Sequence, residues 1–252
     1  MDLGLKDKVV LVTGGARDIG REISLTFGRE GAAVAVNYSH SAEEALRIVA
    51  AIRAMGSRAE AFAADVGDYG AVSAMAARIE AELGPVEILV NNAGQVARRF
   101  FLQTRPEAWR PQIDTGLYGV LNTCHIFAPG MVARRFGRIV NLAGDSARVG
   151  ERGLAVTAAS RGGVLTLTRT LAKELGESEV TVNAVALGLV ETRHSDLSFI
   201  DANRARILQF YAIKRLGQPD DVAPMIAFLC SEHARWITGQ TLSISGGYTT
   251  VG

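Results

Sequence analysis

The sequence predicts an α/β protein with a doubly wound parallel sheet of about seven strands and helices on both faces. Short apolar runs of strand length alternate with longer stretches in which apolar residues recur every three or four positions. A glycine-rich turn follows the first apolar run, as is typical of a strand that leads into a helix. The 252 residues contain no linker, low-complexity run or solenoid repeat, so we expect a single domain over residues 1–252.

The first strand, turn and helix show this pattern most clearly. Val9–Val12 is a continuous apolar run, as expected for a strand that is buried on both faces. The turn TGGA follows, and then Ile19, Ile23 and Phe27 recur every four residues on one helix face. Free N–H groups and the helix dipole favour an anion at such a helix start, so the turn is a candidate phosphate cradle.

The other predicted elements continue the alternation. We predict further strands at residues 33–37, 59–64, 86–90, 139–142, 180–186 and 242–244. Predicted helices lie at residues 42–52, 72–83, 106–131, 157–175 and 219–229, whereas residues 192–217 are polar and predicted to be irregular. Ligands of parallel sheets bind beyond the carboxyl ends of the strands, so the residues that follow each strand should line one crevice.

Composition and charge argue against several classes of protein. Lys plus Arg number 27 and Asp plus Glu number 26, and a net charge of +1 gives no support for nucleic acid or an anionic membrane as a partner. Cys124 and Cys230 are far apart, so we expect buried thiols in a reducing compartment and no metal site. The sequence shows no signal peptide and no apolar run near the ~20 residues of a membrane span, so we expect a cytoplasmic protein.

Several motifs, taken in order, resemble those of the short-chain dehydrogenase/reductase family from residue 5 to residue 247. Residues 13–20 read TGGARDIG against the family's TGxxxGxG, residues 65–66 match its adenine contact, and residues 91–94 read NNAG. Residues 183–185, 215–223 and 238–247 match its later signatures. The resemblance implies a single Rossmann-like domain that binds a nicotinamide dinucleotide through Gly14, Arg17, Asp18, Ile19, Asn37, Asp65, Val66, Asn92, Ala93 and Gly94.

Two features bear on the dinucleotide that the resemblance implies. Arg17 is basic and Asn37-Tyr38 carries no acidic residue, which suits a 2′-phosphate and favours NADP over NAD. Asp18 stands where the family has a glycine, and a carboxylate beside a pyrophosphate is repelled. Its side chain has two alternative placements, toward solvent or as a cap of the helix, so retention and loss of the cofactor are both open.

The family's reaction, as the resemblance implies it, uses an Asn, a Ser, a Tyr and a Lys, and this chain differs at all four positions. Aligned on the family's motifs, these positions are Gly116, Gly144, Thr157 and Arg161. The hydroxyl of threonine is a far weaker acid than the phenol of tyrosine, whose pKa is near ~10. Arginine stays charged but has a different shape from lysine, and glycine supplies no side chain. Ser146, two residues beyond Gly144, is a candidate substitute for the missing serine.

Three hypotheses of function follow. The first is a non-catalytic subunit with no catalytic residue of its own, which supports an active paralogue or associates with itself in a tetramer through the helices 106–131 and 157–175. A hydroxyacyl-CoA dehydrogenase of aromatic degradation, such as the [hydroxy(phenyl)methyl]succinyl-CoA enzyme, is the setting that the resemblance suggests for such a subunit.

The second hypothesis is an atypical NAD(P)-dependent oxidoreductase that reduces a carbonyl or oxidises a secondary alcohol. The substrate itself, Ser146 or His194 would then supply the proton. The third hypothesis is a cofactor-free enzyme or a ligand binder that reuses the crevice. NADPH binding separates the second hypothesis from the other two.

Overall fold

The computed structural model, which describes residues 1–250, contains one seven-stranded sheet in which all neighbouring strands are parallel. Its strands are β1 (Val9–Val12), β2 (Ala33–Tyr38), β3 (Ala59–Ala63), β4 (Ile88–Asn91), β5 (Gly137–Gly144), β6 (Val180–Leu187) and β7 (Thr241–Ile244). They are arranged in the order β3-β2-β1-β4-β5-β6-β7. The predicted fold class, a single Rossmann-like doubly wound domain, is confirmed; the last two residues of the predicted span 1–252 lie outside the described residues.

The helices lie between the strands, as the alternation predicts. They are α1 (Asp18–Arg29), α2 (Ala42–Ala54), α3 (Tyr69–Glu82), α4 (Arg110–Ile113), α5 (Gly119–Arg134), α6 (Ser146–Val149), α7 (Ala155–Leu175), α8 (Leu197–Leu208) and α9 (Pro219–Leu229). Short 3₁₀ turns occupy Phe101–Gln103, Pro106–Ala108, Gly176–Ser178 and Glu232–Ala234, and Asp114–Tyr118 is a π-helical turn. Within residues 1–250 no helix is both long and apolar enough to cross a membrane.

Two hydrophobic cores cover the two faces of the sheet. Val10 and Val12 point into one core, which they share with α1, α2 and α9. Val9 and Leu11 point into the other, which they share with α3, α5 and α7. Because successive side chains of a strand face opposite sides, both cores draw on each central strand. This is why the strands read as continuous apolar runs instead of alternating ones.

Two predicted segments differ from the structure. Residues 192–217 are not irregular throughout, because they contain the 12-residue helix α8. The carboxylate of Asp196 accepts the N–H of Phe199 at 3.0 Å and caps this helix. Ile200 is the one buried residue of α8. Leu197, Ile207 and Leu208 lie on the same face of the helix, but Asp201 and Arg204 interrupt this apolar stripe and hide the pattern. Residues 106–131 are helical in several pieces, which the π-helical turn separates.

The strand order reverses between β1 and β4, and this reversal positions the crevice. The chain leaves β1 toward one edge of the sheet and leaves β4 toward the other edge. The connections after these two strands therefore diverge, which opens a cleft beyond their carboxyl ends. The glycine-rich turn after β1 and residues 91–94 at the end of β4 line this cleft together.

Candidate active site

The glycine-rich turn after β1 is shaped by two asparagines. Gly14 has a φ of 59°, which glycine adopts without strain. Asn37 is 2% exposed, and its Oδ1 accepts the N–H of Gly14 at 3.1 Å. Nδ2 of Asn92 donates to the carbonyl oxygens of Thr13 at 2.9 Å and Gly14 at 3.1 Å. The buried amide of Asn37 thus supports the turn from behind, and Asn92 fixes it from β4.

The first turn of α1 keeps its N–H groups available for an anion. Arg17 precedes the helix in an extended conformation, and no side chain caps the helix start. The helix packs closely on the turn, because a side chain at Gly20 would collide with the carbonyl oxygen of Gly14. Ile19 packs against the core beneath it. An uncapped helix start above a tight glycine turn fits a pyrophosphate.

Asp18 takes neither of the two placements that the sequence left open. It has a φ of 52°, in the left-handed region that only a small share of non-glycine residues adopt. Its Oδ1 lies 2.9 Å from Nδ1 of His194, which follows β6. Since a carboxylate can only accept, Nδ1 of His194 is the donor. The carboxylate is therefore held by the opposite wall of the crevice, away from its own helix start.

The far end of the cleft fits the adenosine half of a dinucleotide. Oδ1 of Asp65 accepts the N–H of Gly67 at 2.9 Å, so the carboxylate stabilises its own turn. Val66 is buried and packs against Gly119, where a Cβ would lie 2.6 Å from Val66 Cγ2. Arg17 is exposed, and within residues 1–250 its guanidinium has no ion-pair partner. A guanidinium in this state is available for a phosphate.

Arg161 lies between the ends of β4 and β5. Its Nη1 donates to the carbonyl oxygen of Leu142, and its Nη2 lies against Gly94 so closely that a side chain there would collide with it. Ala93 is fixed by donating its N–H to Thr13 Oγ1 at 3.0 Å. Burial lowers the pKa of Arg161 from its ordinary value. The position that the family gives to lysine therefore still holds a cation at the crevice.

Thr157 does not offer its proton to the crevice. Thr157 is 5% exposed, and its Oγ1 donates to Oε1 of Gln112 at 2.6 Å. Nε2 of Gln112 donates to the carbonyl oxygen of Ala108 at 3.2 Å, which fixes the orientation of the amide. Gln112 lies outside every predicted motif, and nothing in the sequence pattern pairs it with Thr157. The hydroxyl of Thr157, which the sequence motif aligns with the family's tyrosine, is thus committed to a buried hydrogen bond.

Gly116 lies in the π-helical turn and faces α7. A Cβ at this position would lie 2.8 Å from Oγ of Ser160. Ser160 is buried, and its Oγ donates to the carbonyl oxygen of Gln112 at 3.4 Å. Ser160 therefore fills the space that a side chain at position 116 would need, so only glycine fits there without a shift of Ser160.

Gly144 ends β5 and leaves room in the crevice. A Cβ built there has Ser146 Oγ at 3.4 Å and the carbonyl oxygen of Leu187 at 3.8 Å, with no other atom within 4 Å. Ser146 is 8% exposed, and its hydroxyl has no hydrogen-bond partner in the described part of the chain. A free hydroxyl therefore lies beside the point where the family's serine side chain would begin.

Two further titratable side chains that follow β5 and β6 are bonded to neighbouring elements of the fold. Asp145 is fully buried, accepts from Ser243 Oγ at 2.7 Å and pairs with Arg148 at 3.8 Å, so its carboxylate is turned toward β7. The hydroxyl of Tyr211 accepts the N–H of Leu189 at 2.8 Å, and burial raises the pKa of Tyr211. A tyrosine with a raised pKa is a weaker acid than usual. Among residues 1–250 no cluster of His, Cys, Asp or Glu could hold a metal ion.

Comparison with known proteins gives consistent matches over nearly the whole chain. A family model described as enoyl-(acyl carrier protein) reductase matches residues 14–249. The chain is 39% identical to the 3-oxoacyl-[acyl-carrier-protein] reductase FabG of Staphylococcus aureus, over 95% of this chain and 97% of that protein. It is 38% identical to the acetoacetyl-CoA reductase of Rhizobium meliloti, over 95% and 98% of the two chains. A crystal structure assigned as a short-chain alcohol dehydrogenase from Sinorhizobium meliloti superposes with a TM-score of 0.92 at 32% identity and covers 97% of each chain.

These matches correct the first functional hypothesis. We predicted a non-catalytic subunit because Gly116, Gly144, Thr157 and Arg161 replace the family's four catalytic residues. The prediction is wrong, because relatives that match along the whole chain at 37–39% identity are named as reductases. The matches support the second hypothesis, an NAD(P)-dependent oxidoreductase. Since the family model covers nearly all of the chain and the motifs meet in one crevice, this protein belongs to the short-chain dehydrogenase/reductase family.

Proposed function

We propose that this chain is an atypical NAD(P)H-dependent oxidoreductase that reduces the carbonyl of a 3-oxoacyl thioester to a secondary alcohol. The names of the relatives, 3-oxoacyl-[acyl-carrier-protein] reductase and acetoacetyl-CoA reductase, support the substrate class. The observation that carries the mechanism is the free hydroxyl of Ser146 beside Gly144. It supplies a hydrogen-bond donor where the family's serine is missing.

The cofactor site is built from the turn after β1 and the start of α1. The N–H groups at the start of α1 hold the pyrophosphate, and Asp65 and Val66 border the adenine. The unpaired guanidinium of Arg17 binds a 2′-phosphate, so NADPH is preferred to NADH. When bound, the reduced nicotinamide supplies the hydride that reaches the carbonyl carbon.

The residues of the chain act on the carbonyl oxygen. The hydroxyl of Ser146 donates a hydrogen bond to this oxygen. An aliphatic hydroxyl is too weak an acid to protonate a ketone, so Oγ passes its proton on only as the hydride makes the oxygen alkoxide-like, and it takes a proton from water in the same step. Bulk solvent supplies the one net H⁺ that the reduction consumes. The guanidinium of Arg161 stabilises the negative charge that develops on the oxygen as the hydride arrives, because the guanidinium of arginine carries its charge throughout the ordinary pH range. Thr157 takes no part in the proton transfer, because its hydroxyl already donates to Gln112. The four altered family positions are thus replaced by a two-group arrangement of Ser146 and Arg161.

The mouth of the crevice suits an acyl chain on an anionic carrier. The guanidinium of Arg152 lies 5.3 Å from the ring of Phe100, and that of Arg98 lies 5.9 Å from the ring of Phe199. Arg98 also pairs with Glu151, which ties the two loops of the rim together. Aromatic rings give the acyl chain an apolar path, and the arginines attract phosphate.

A second copy of this chain is the partner that we propose for α5 and α7. Next to these helices Tyr118 is 53% exposed, and Leu121 on α5 is 37% exposed. Gly162 on α7 has no atom within 4 Å of a built Cβ, so another helix can approach closely. Light scattering of the purified chain should give the mass of a tetramer. A glutamate at position 121 should lower that mass, whereas a monomeric wild type would refute the proposal.

The function is tested by NADPH consumption in the presence of thioesters. Acetoacetyl-CoA carries a ketone at carbon 3 of its acyl chain. Crotonyl-CoA has the same chain length but carries a double bond between carbons 2 and 3 in place of the ketone. We expect the absorbance of NADPH to fall with acetoacetyl-CoA and to stay constant with crotonyl-CoA and without substrate. Consumption with crotonyl-CoA alone would point to enoyl reduction. Tight binding of NADPH without turnover of either thioester would refute the proposed substrate class.

A further inference from the structure

The contact between Asp18 and His194 joins two parts of the crevice that lie 176 residues apart in sequence. Asp18 is the first residue of α1, and His194 lies in the connection between β6 and α8. The 2.9 Å separation between Oδ1 and Nδ1 is that of a good hydrogen bond. The side chains are 25% and 44% exposed, so neither is part of the core. Their pairing is therefore not explained by packing.

Asp18 has a more obvious partner than His194. A carboxylate in the first turn of a helix is attracted by the free N–H groups and the positive end of the dipole. The start of α1 has both, because no side chain caps it. If the carboxylate turned inward, it would occupy the groups that the pyrophosphate needs. In the structure it points to His194 instead.

The loop that carries His194 is arranged to present it. Oγ of Ser195 accepts the N–H of Thr192 at 2.9 Å and lies 3.0 Å from Thr192 Oγ1. The N–H of Ser195 donates to the carbonyl oxygen of Thr192 at 3.1 Å. These bonds close a tight turn with His194 at its tip. The turn thus fixes the backbone at His194, from which the imidazole reaches Asp18.

We propose that His194 is a cofactor-positioning residue that holds the Asp18 carboxylate away from the start of α1, so that the anion site stays open for the pyrophosphate of NADPH. The proposal rests on the proposed function, since it assumes a dinucleotide at α1. It explains how the chain tolerates a carboxylate at position 18, which would otherwise repel the cofactor. It also links the cofactor turn to the loop after β6, on the substrate side of the crevice.

The test measures dissociation constants by NADPH fluorescence, with no turnover. H194A should weaken NADPH binding about fivefold, the upper range for one exposed polar contact. H194N keeps an N–H donor near the position of Nδ1 and should bind as the wild type does. D18G removes the carboxylate, so the double variant D18G/H194A should bind as tightly as D18G alone. This rescue separates positioning from a general loss of loop structure.

The probe 2′-AMP has no 5′-phosphate and serves as the matched control. It should bind equally to the wild type and to H194A, since it does not reach the start of α1. Equal NADPH binding by wild type and H194A would overturn the role of His194 and leave the oxidoreductase proposal intact. Tighter binding by H194A would show that the contact blocks the site, which also overturns the role. Failure of the wild type to bind NADPH would overturn both proposals.

Discussion

Removal of two different hydroxyls, one at Ser146 and one at Thr157, tests how the proton reaches the substrate. Ser146 Oγ has no hydrogen-bond partner in the described structure, so S146A deletes a group that the fold does not use. We expect the free energy of unfolding to change by no more than about 0.5 kcal/mol. If the hydroxyl donates to the developing oxyanion, kcat/KM should fall about 10²–10³-fold.

T157V is the matched control, because valine keeps the shape of threonine and loses its hydroxyl. Oε1 of Gln112 then stays buried without the donor that now lies 2.6 Å away. An unsatisfied buried acceptor costs about 1–3 kcal/mol, so T157V should be destabilised by that amount. Its kcat/KM should stay within about threefold of the wild type, since the hydroxyl does not face the crevice.

Urea unfolding and steady-state reduction of acetoacetyl-CoA by NADPH measure the two quantities. S146A should lower kcat/KM and leave the free energy of unfolding nearly unchanged. T157V should lower the free energy of unfolding and leave kcat/KM nearly unchanged. A hundredfold loss of rate in T157V at unchanged stability would assign the donor to Thr157. An unchanged rate in S146A would remove Ser146 from the reaction. Either result would refute the mechanism argued from the hydrogen bonds.

Three further predictions follow from the same structure. R17A should raise KM for NADPH about tenfold and leave KM for NADH unchanged, because the proposed partner of the guanidinium is the 2′-phosphate, which NADH lacks; steady-state kinetics with both cofactors measure this. Cys124 and Cys230 should not react with a thiol reagent at pH 8 in the folded protein, and both should react fully once guanidinium unfolds it. Both thiols are buried, and burial raises the pKa of Cys124 to about 12, so little reactive thiolate forms. G20A should lower stability by about 1–3 kcal/mol in urea unfolding and weaken NADPH binding, because its methyl group would collide with Gly14 O; unchanged affinity would mean that the turn is not the cradle.

Much of the fold follows from local patterns in the sequence. The continuous apolar run at Val9–Val12 and the four-residue spacing of Ile19, Ile23 and Phe27 predict strand and helix correctly, because both patterns reflect which faces are buried. The helix α8 was missed because only Ile200 among its residues is buried and its cap, Asp196, is a residue type that also occurs in loops. The boundaries of β5 and β6 extend beyond the predicted ones, to Gly144 and Leu187, because pairing between neighbouring strands and not hydrophobicity ends them.

The sequence also identified the positions around the crevice but not what each side chain does there. Asn37 was predicted as a cofactor contact, which stays a prediction, and the structure adds that its buried amide holds the glycine turn. Asp18 was expected to face solvent or to cap α1, and it bonds to His194. The altered residues at Thr157 and Arg161 favoured a non-catalytic protein, which the reductase relatives contradict. A substitution in a motif shows that one group is lost, but it cannot show which neighbouring group takes its place.

By itself, the sequence determined the doubly wound sheet, the glycine-rich turn after the first strand, and the residue types at the four positions aligned with the family's catalytic residues. These properties depend on residue type and on spacing along the chain, which a sequence displays directly. The tertiary structure alone decided that Thr157 donates to Gln112, that Ser146 stays free beside Gly144, and that Asp18 meets His194. Hydrogen bonds act over about 3 Å in space, and residues that far apart in the chain are brought within this range only when the layers of the fold pack together.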